Sequence, residues 1–256
     1  MTMTKYLLFV SDSRGRGGTD LLQDPSLEVT TIIRPGAGLQ ILTNEAVKFL
    51  GLRKYDLVII AGGICDLTKK EVQCGEKVLS YPLSQEDRSA KIALLSDSIT
   101  KARSKIGRKL LLTTIVPASL VNYYYHHNPQ KTTAPQDLNE QQIALFQDID
   151  EINACIAANN RAAERRTPNW ANFALQHSKK RKRKGSSQLA KSCSNLALKH
   201  LPDGVHFSGE LLNKCVTALI KVAQAELLNE DSENLSRSDE EAHWDFKRAK
   251  PSTSSQ

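Results

Sequence analysis

Residues 5–15 read KYLLFVSDSRG, and this stretch decides which fold the rest of the chain should form. Six mostly apolar residues, typical of a buried strand, lead directly into Ser11, Asp12 and Ser13. Near the other end of the chain, residues 203–208 read DGVHFS and precede a helical pattern. A serine on a strand-to-loop turn, a histidine and a carboxylate are the parts of a serine-nucleophile hydrolase. Because neither motif is specific alone, the prediction depends on their order and on what separates them.

The composition predicts one α/β domain, since a 256-residue chain with 40% apolar residues can bury a full core. The formal net charge is +7, but six consecutive positive residues at 179–184 supply six of these charges. The rest of the chain is therefore near neutral. That balance argues against a broad nucleic-acid-binding face, which would spread basic residues over one surface.

Cysteine usage and hydropathy predict a soluble, intracellular protein. The five cysteines are scattered, odd in number and without CxxC spacing, which favours a reducing compartment over a disulfide framework or a zinc site. The opening apolar run is too short for the core of a signal peptide. No stretch approaches the roughly 18 apolar residues of a membrane span, so no membrane partner is expected.

Strand and helix patterns alternate along the chain. Four apolar runs are continuous, as expected for a parallel sheet covered on both faces: 6–10, 29–33, 57–61 and 110–116. Helical patterns follow at 39–50, from Ser84 to Gly107, at 138–166 and at 209–228. The sequence therefore predicts an α/β protein, a three-layer α/β/α sandwich with a parallel sheet of about five strands.

Unusual loops follow three of these strands, and ligands of such sheets bind outside the carboxyl ends of the strands. The first loop carries Ser13 and Gly15, the second reads RPGAG at 34–38, and the third reads GGICD at 62–66. The DGVHFS motif precedes the last helix. We expect all four segments to meet at one edge of the sheet.

This set of motifs, in this order, resembles the SGNH (GDSL-type) hydrolases, a superfamily of flavodoxin-like esterases and lipases. Its Gly-Asp-Ser block is similar to residues 11–13, where serine replaces the glycine. Its glycine block is matched by Gly38, and its Gly-x-Asn-Asp block by residues 63–66, GICD. Its Asp-x-x-His block is matched by Asp203 and His206 without a gap. The resemblance covers roughly residues 5–228 and implies a flavodoxin-like sheet.

The resemblance implies a role for each matched residue. Ser13 would be the nucleophile, His206 its general base and Asp203 the carboxylate that orients the base. The oxyanion hole would consist of the backbone N–H groups of Ser13 and Gly38 and the side chain at position 65. Cys65 departs from the family there, because a thiol is a weaker donor than an amide. Losing one oxyanion donor typically costs about 10²–10³ in turnover.

The resemblance implies an esterase whose small-molecule substrate is a small acyl or acetyl ester. The reaction would proceed through an acyl-enzyme and would need no metal or organic cofactor. The rival hypothesis is a catalytically silent SGNH-fold binding or scaffold module, favoured by Cys65 and by the missing first-block glycine. Ser13 alone could cap a helix, His206 could be an ordinary histidine, and Cys65 could be a small buried hydrophobe. The YYYHH stretch at 123–127 could line a cleft or form an exposed aromatic loop.

The domain prediction is an SGNH-hydrolase-like unit at 1–228, with a basic insertion at about 176–194, followed by a disordered tail at 229–256. The basic run consists of Lys179, Lys180, Arg181, Lys182, Arg183 and Lys184. It predicts a nuclear-import receptor as partner and a nuclear or nucleocytoplasmic location. A solvated charge run and a contact with nucleic-acid phosphates are the alternatives. An SGNH-like domain with such a signal resembles domains found in some invertebrate mobile-element open reading frames.

Overall fold

The computed structural model describes residues 4–18, 26–175 and 200–248. Six strands lie in these ranges: β1 (Lys5–Ser11), β2 (Leu27–Ile33), β3 (Leu57–Ala61), β4 (Lys69–Gln73), β5 (Glu76–Ser80) and β6 (Leu110–Leu112). The helices are α1 (Leu39–Leu52), α2 (Ile64–Leu67), α3 (Gln85–Ile106), α4 (Leu120–His127), α5 (Leu138–Ala162), α6 (Trp170–Leu175) and α7 (Gly209–Arg248). Short 3-10 turns follow β1 and α3.

A four-stranded parallel sheet in the order β2-β1-β3-β6 forms the centre of the fold. Alternate residues of β1 enter different cores: Leu8 and Val10 pack beneath α1, α3 and α5, whereas Leu7 and Phe9 pack against α6 and α7. Both faces are therefore covered, which is why the strands are continuous apolar runs rather than alternating ones. The α/β sandwich predicted from the sequence is confirmed.

Within the described residues, the parallel sheet has four strands, whereas the sequence predicted about five. Beyond β6, Thr114 donates one backbone hydrogen bond of 3.1 Å to Pro168, which itself has no N–H with which to extend a ladder. Strand β6 also ends at Leu112 instead of residue 116. The amide of Asn153 bonds both the N–H (2.6 Å) and the C=O (3.0 Å) of Ile115, taking the place of a neighbouring strand.

Strands β4 and β5 form an antiparallel hairpin that the sequence patterns did not predict. Cys74 (φ 50°) and Gly75 (φ 81°) make its turn, and positive φ at both central positions suits a tight two-residue hairpin. The hairpin packs on α4, where Asn128 accepts from Lys77 N–H (3.1 Å) and donates to Lys77 C=O (2.8 Å). It extends the molecule beside the carboxyl edge of the sheet.

The predicted cap of α3 is confirmed: Ser84 Oγ accepts from Asp87 N–H at 3.1 Å, and Gly107 (φ 77°) ends the helix. Helix α7 includes residues for which the sequence predicted a disordered tail, and residues 249–256 lie outside the described ranges. The basic run from Lys179 to Lys184 also lies outside them, so nuclear import remains a prediction. Among the described helices, none has the length and apolar character needed to cross a bilayer.

Candidate active site

The end of β1 presents Ser13 at the carboxyl edge of the sheet. Asp12 caps the 3-10 turn Ser13–Gly15, and its Oδ1 accepts a 2.9 Å hydrogen bond from Arg14 N–H. The cap is thus Asp12 and not Ser13, which leaves the Ser13 hydroxyl available for another partner. Gly15 is required for this tight turn, because a Cβ there would lie 2.6 Å from both Cβ and Oγ of Ser11.

Ser13, His206 and Asp203 form a continuous hydrogen-bonded chain, although Ser13 lies nearly two hundred residues from the other two in sequence. His206 Nδ1 lies 2.5 Å from Asp203 Oδ2, and His206 Nε2 lies 3.1 Å from Ser13 Oγ. Because a carboxylate only accepts, Nδ1 carries the ring proton and Nε2 accepts from the Ser13 hydroxyl. This geometry suits removal of the hydroxyl proton by His206.

The Asp203 carboxylate also shapes the loop that carries His206. Its Oδ1 accepts from Val205 N–H (3.0 Å) and His206 N–H (2.7 Å), closing the chain into a turn. Burial acts to raise the pKa of this carboxyl, but the hydrogen bonds from His206 and Val205 outweigh it and hold the pKa at about 2. Asp203 therefore stays ionised at neutral pH, as an orienting group must.

Gly204 fits this turn against α4. Its φ is 81°, and a Cβ would lie 2.3 Å from Tyr123 N and 2.4 Å from Ser119 O. Its own carbonyl accepts a 2.7 Å hydrogen bond from Ser119 N–H. No side chain fits in so small a space, so the backbone of α4 holds the Asp203–His206 loop in place.

Arg14 was not among the predicted site residues. Its side chain is buried in the core of the site, where Nε donates to Val205 O (3.0 Å), Nη2 to Pro117 O (3.3 Å) and Nη1 to Val116 O. The Phe207 ring lies 5.5 Å from the guanidinium carbon. Burial lowers the pKa of Arg14, opposed chiefly by the charge of Asp12. Arg14 thus joins the turn that carries Ser13 to the loop that carries His206, and its place beside Ser13 is the signal that could have suggested this.

The predicted oxyanion residue Gly38 is the N-cap of α1, beside Asp66. Asp66 Oδ2 accepts a 2.8 Å hydrogen bond from Leu39 N–H, the first of that helix. A Cβ at Gly38 would lie 2.2 Å from Asp66 Oδ1, so only glycine allows this approach. In the described part of the chain, neither Ser13 N–H nor Gly38 N–H donates a hydrogen bond. Both donors are therefore free for a ligand.

Cys65 lies on the short helix α2, directly before Asp66, and is half-buried at the edge of the core. Burial, reinforced by the charge of Asp12, raises the pKa of its thiol to about 11. The group is therefore a protonated thiol near neutral pH, able to donate only weakly and unsuited to act as a nucleophile. Its contact with the core also agrees with a packing role.

The YYYHH stretch belongs to α4, where Tyr123 and Tyr124 are buried while Tyr125 and His126 are exposed. It is therefore a helix packed beside the site and not an aromatic loop. Among the described residues, no group of three His, Cys, Asp or Glu side chains is arranged to hold a metal ion.

Comparison of the sequence with protein-family models and with curated proteins finds no match. Solved structures do match. The lipase/acylhydrolase from Enterococcus faecalis is 14% identical with a TM-score of 0.55, over 85% of this chain and 94% of that one. A putative acylhydrolase from Bacteroides fragilis is 16% identical with a TM-score of 0.50, over 88% of each chain. The fold is that of the SGNH hydrolases.

Other structural neighbours have the same general description. A GDSL-like lipase from Bacteroides thetaiotaomicron is 18% identical with a TM-score of 0.49, over 88% of this chain and 89% of that one. At such low identities the likeness shows the fold alone, because one fold hosts many chemistries.

Proposed function

We propose that this protein is a serine esterase that hydrolyses small acyl or acetyl esters through an acyl-enzyme. The observation that carries the proposal is the chain of hydrogen bonds from Asp203 through His206 to the Ser13 hydroxyl. The two neighbours described as a lipase/acylhydrolase and a putative acylhydrolase support it, since they share the fold of this chain.

In the proposed reaction, Ser13 Oγ attacks the ester carbonyl carbon while His206 Nε2 takes the hydroxyl proton. The resulting oxyanion would be stabilised by the N–H groups of Ser13 and Gly38, which have no acceptor within the described residues. His206 then protonates the alcohol oxygen as its bond to carbon breaks. Water attacks the acyl-enzyme by the same general-base route and releases a carboxylic acid and free Ser13.

The second candidate function is a binding module of the same fold without catalysis, and Cys65 favours it. A thiol replaces the amide donor of the family, so the oxyanion hole has two strong donors and one weak one. One missing donor typically costs about 10²–10³ in turnover, which slows an esterase without silencing it. The complete Ser13–His206–Asp203 chain therefore favours the esterase.

The test is the variant Ser13→Ala with p-nitrophenyl acetate and with a fluorophosphonate probe that labels activated serines. We expect kcat/KM to fall by about 10⁴ or more and labelling to disappear, because the hydroxyl is the attacking group. Ser11→Ala is the matched control: its buried hydroxyl has no hydrogen-bond partner among the described residues, so hydrolysis and labelling should remain. Equal hydrolysis by wild type and Ser13→Ala would favour the binding module.

A further inference from the structure

Two aromatic rings of α4, those of Tyr123 and His127, form a wall beside the loop that carries Asp203 and His206. Helix α4 packs on the Asp203–Gly204 turn through Ser119 and Tyr123, as described above. The rings of Tyr123 and His127 lie 4.3 Å apart, one turn of helix from each other. The Asp203 charge acts on both rings: it adds to the burial that raises the pKa of Tyr123, and it opposes the burial that lowers the pKa of His127. The wall therefore lies within electrostatic range of the carboxylate that orients His206.

A lysine reaches over this wall from the hairpin β4–β5. Lys70 Nζ lies 5.9 Å from the centre of the Tyr123 ring, and Lys70 follows Cys65 by only five residues. The Lys70 charge also acts to lower the pKa of Cys65, against the larger effect of burial. Lys70 is thus close both to the predicted oxyanion position and to the wall beside Asp203.

The pairing of the nearby lysines is uneven. Lys69 pairs with Glu71 at 3.0 Å, and Lys131 pairs with Glu76. Lys70 on β4 and Lys77 on β5 have no carboxylate partner in the described part of the chain. Both also act on His127, lowering its pKa after the larger effects of burial and His126. Lys77 is paired with Val72 in the hairpin register, so it shares the face of Lys70, whose ammonium lies over the Tyr123 ring.

We propose that the site takes esters that carry an anionic group, with Lys70 as the residue that binds the anion and Lys77 as a more distant support. This inference rests on the proposed esterase function and names its substrate class. A cationic substrate would be repelled by both lysines, and the carboxylate of Asp203 is already bonded to His206. A neutral ester has no charged group to pair with either ammonium, whereas a carboxylate beside the scissile ester would pair with Lys70 over the Tyr123 ring.

The experiment compares matched anionic and neutral esters. The first pair is 4-acetoxyphenylacetate and its methyl ester, which places the charge on the alcohol side. The second is mono-4-nitrophenyl succinate and 4-nitrophenyl butyrate, which places it on the acyl side. Each is assayed with wild type, Lys70→Met, Lys70→Arg and the control Lys69→Met, which removes a lysine already paired with Glu71.

We expect Lys70→Met to lower kcat/KM about fivefold for the anionic ester of at least one pair, through KM, as an exposed ion pair allows. The neutral ester of that pair should change less, so that the ratio of anionic to neutral ester falls. Lys70→Arg should retain the preference, and Lys69→Met should behave as wild type. Because the pair is exposed, added salt should reduce the preference of the wild type. If Lys70→Met changes neither ratio of anionic to neutral ester, the proposal is wrong.

The design separates this proposal from the esterase proposal. Hydrolysis of the neutral esters that requires Ser13 tests the esterase, whatever Lys70 does. In a protein without turnover, the dissociation constants of 4-hydroxyphenylacetate and its methyl ester replace kcat/KM. The anion should then bind more tightly than its methyl ester, and Lys70→Met should remove that difference. Equal binding of both compounds by wild type would overturn the anion proposal in that case.

Discussion

The two halves of the candidate site are built differently. The proton-transfer half consists of the side chains of Ser13, Arg14, Asp203 and His206, and each of these four side chains takes part in a hydrogen bond. The oxyanion half consists of Gly38, Cys65 and Asp66, and there a thiol stands where the family has an amide. In that half the carboxylate of Asp66 accepts from Leu39 N–H, a bond that supports the start of helix α1 and not a substrate.

The difference shows where this chain tolerates change. The Arg14 side chain bonds three backbone carbonyls in the proton-transfer half. If Arg14 moved, these buried carbonyls would lose their donor, which costs free energy of folding. Replacing the amide at position 65 leaves the rest of the oxyanion half in place, since the backbone donors remain. The first half is thus constrained by buried hydrogen bonds as well as by chemistry, whereas the side chain at position 65 only packs at the edge of the core.

The largest effect should come from breaking the proton-transfer half at Arg14. Arg14→Met leaves the carbonyls of Val116, Pro117 and Val205 without their side-chain donor, and it removes the buried positive charge beside Asp12. Losing one partner of a buried charged network costs about 3–5 kcal/mol. We expect the free energy of unfolding in urea to fall by about that amount. At temperatures where the variant is folded, kcat should fall by about 10² with KM nearly unchanged, because the histidine loop loses its attachment.

Exposed Arg16, two residues further on, provides the control, and Arg16→Met should change neither quantity. Arg14→Lys should restore part of kcat, because a positioning residue can be replaced in part by another donor. Wild-type rates of fluorophosphonate labelling in folded Arg14→Met would contradict this role.

An increase in kcat is expected when an amide donor is introduced at position 65 in the oxyanion half. Cys65→Asn supplies the amide donor of the family, so kcat should rise, by up to about 10² if the amide reaches the oxyanion. KM should change little, because the donor acts mainly in the transition state. The measurement is steady-state hydrolysis of p-nitrophenyl acetate, with Cys65→Ala as the variant that lacks any donor. A folded Cys65→Asn slower than wild type would count against this placement of position 65.

The smallest effect concerns acid stability. The pKa of Asp203 is about 2 in the folded protein against an ordinary 3.8, so its bonds stabilise the fold fully above about pH 4. That contribution is lost as pH falls from about 4 towards 2. Asp203→Asn should therefore show a weaker loss of unfolding free energy over this interval than wild type, measured by urea titration at several pH values. Parallel pH profiles would mean that the Asp203–His206 bond contributes nothing to folding.

The sequence predicted most of the fold from local patterns. The strand β1 and the cap of α3 at Ser84 follow from short-range rules, apolar continuity and a hydroxyl before a helix. The hairpin β4–β5 was missed because it is mostly polar and its turn uses Cys74 at positive φ, a conformation in which cysteine is uncommon. The early end of β6 was missed because Asn153, on a distant helix, takes the place of a strand.

By itself, then, the sequence determined the order of the elements and which residues were candidates, since apolar runs and caps act over a few residues. Only the tertiary structure decided that Ser13 lies 3.1 Å from His206, and that Arg14 joins their two loops. It also decided that Lys70 lies over Tyr123 beside them. These contacts join segments far apart in the chain, and their geometry depends on the packing of the whole sheet edge, which no local pattern encodes.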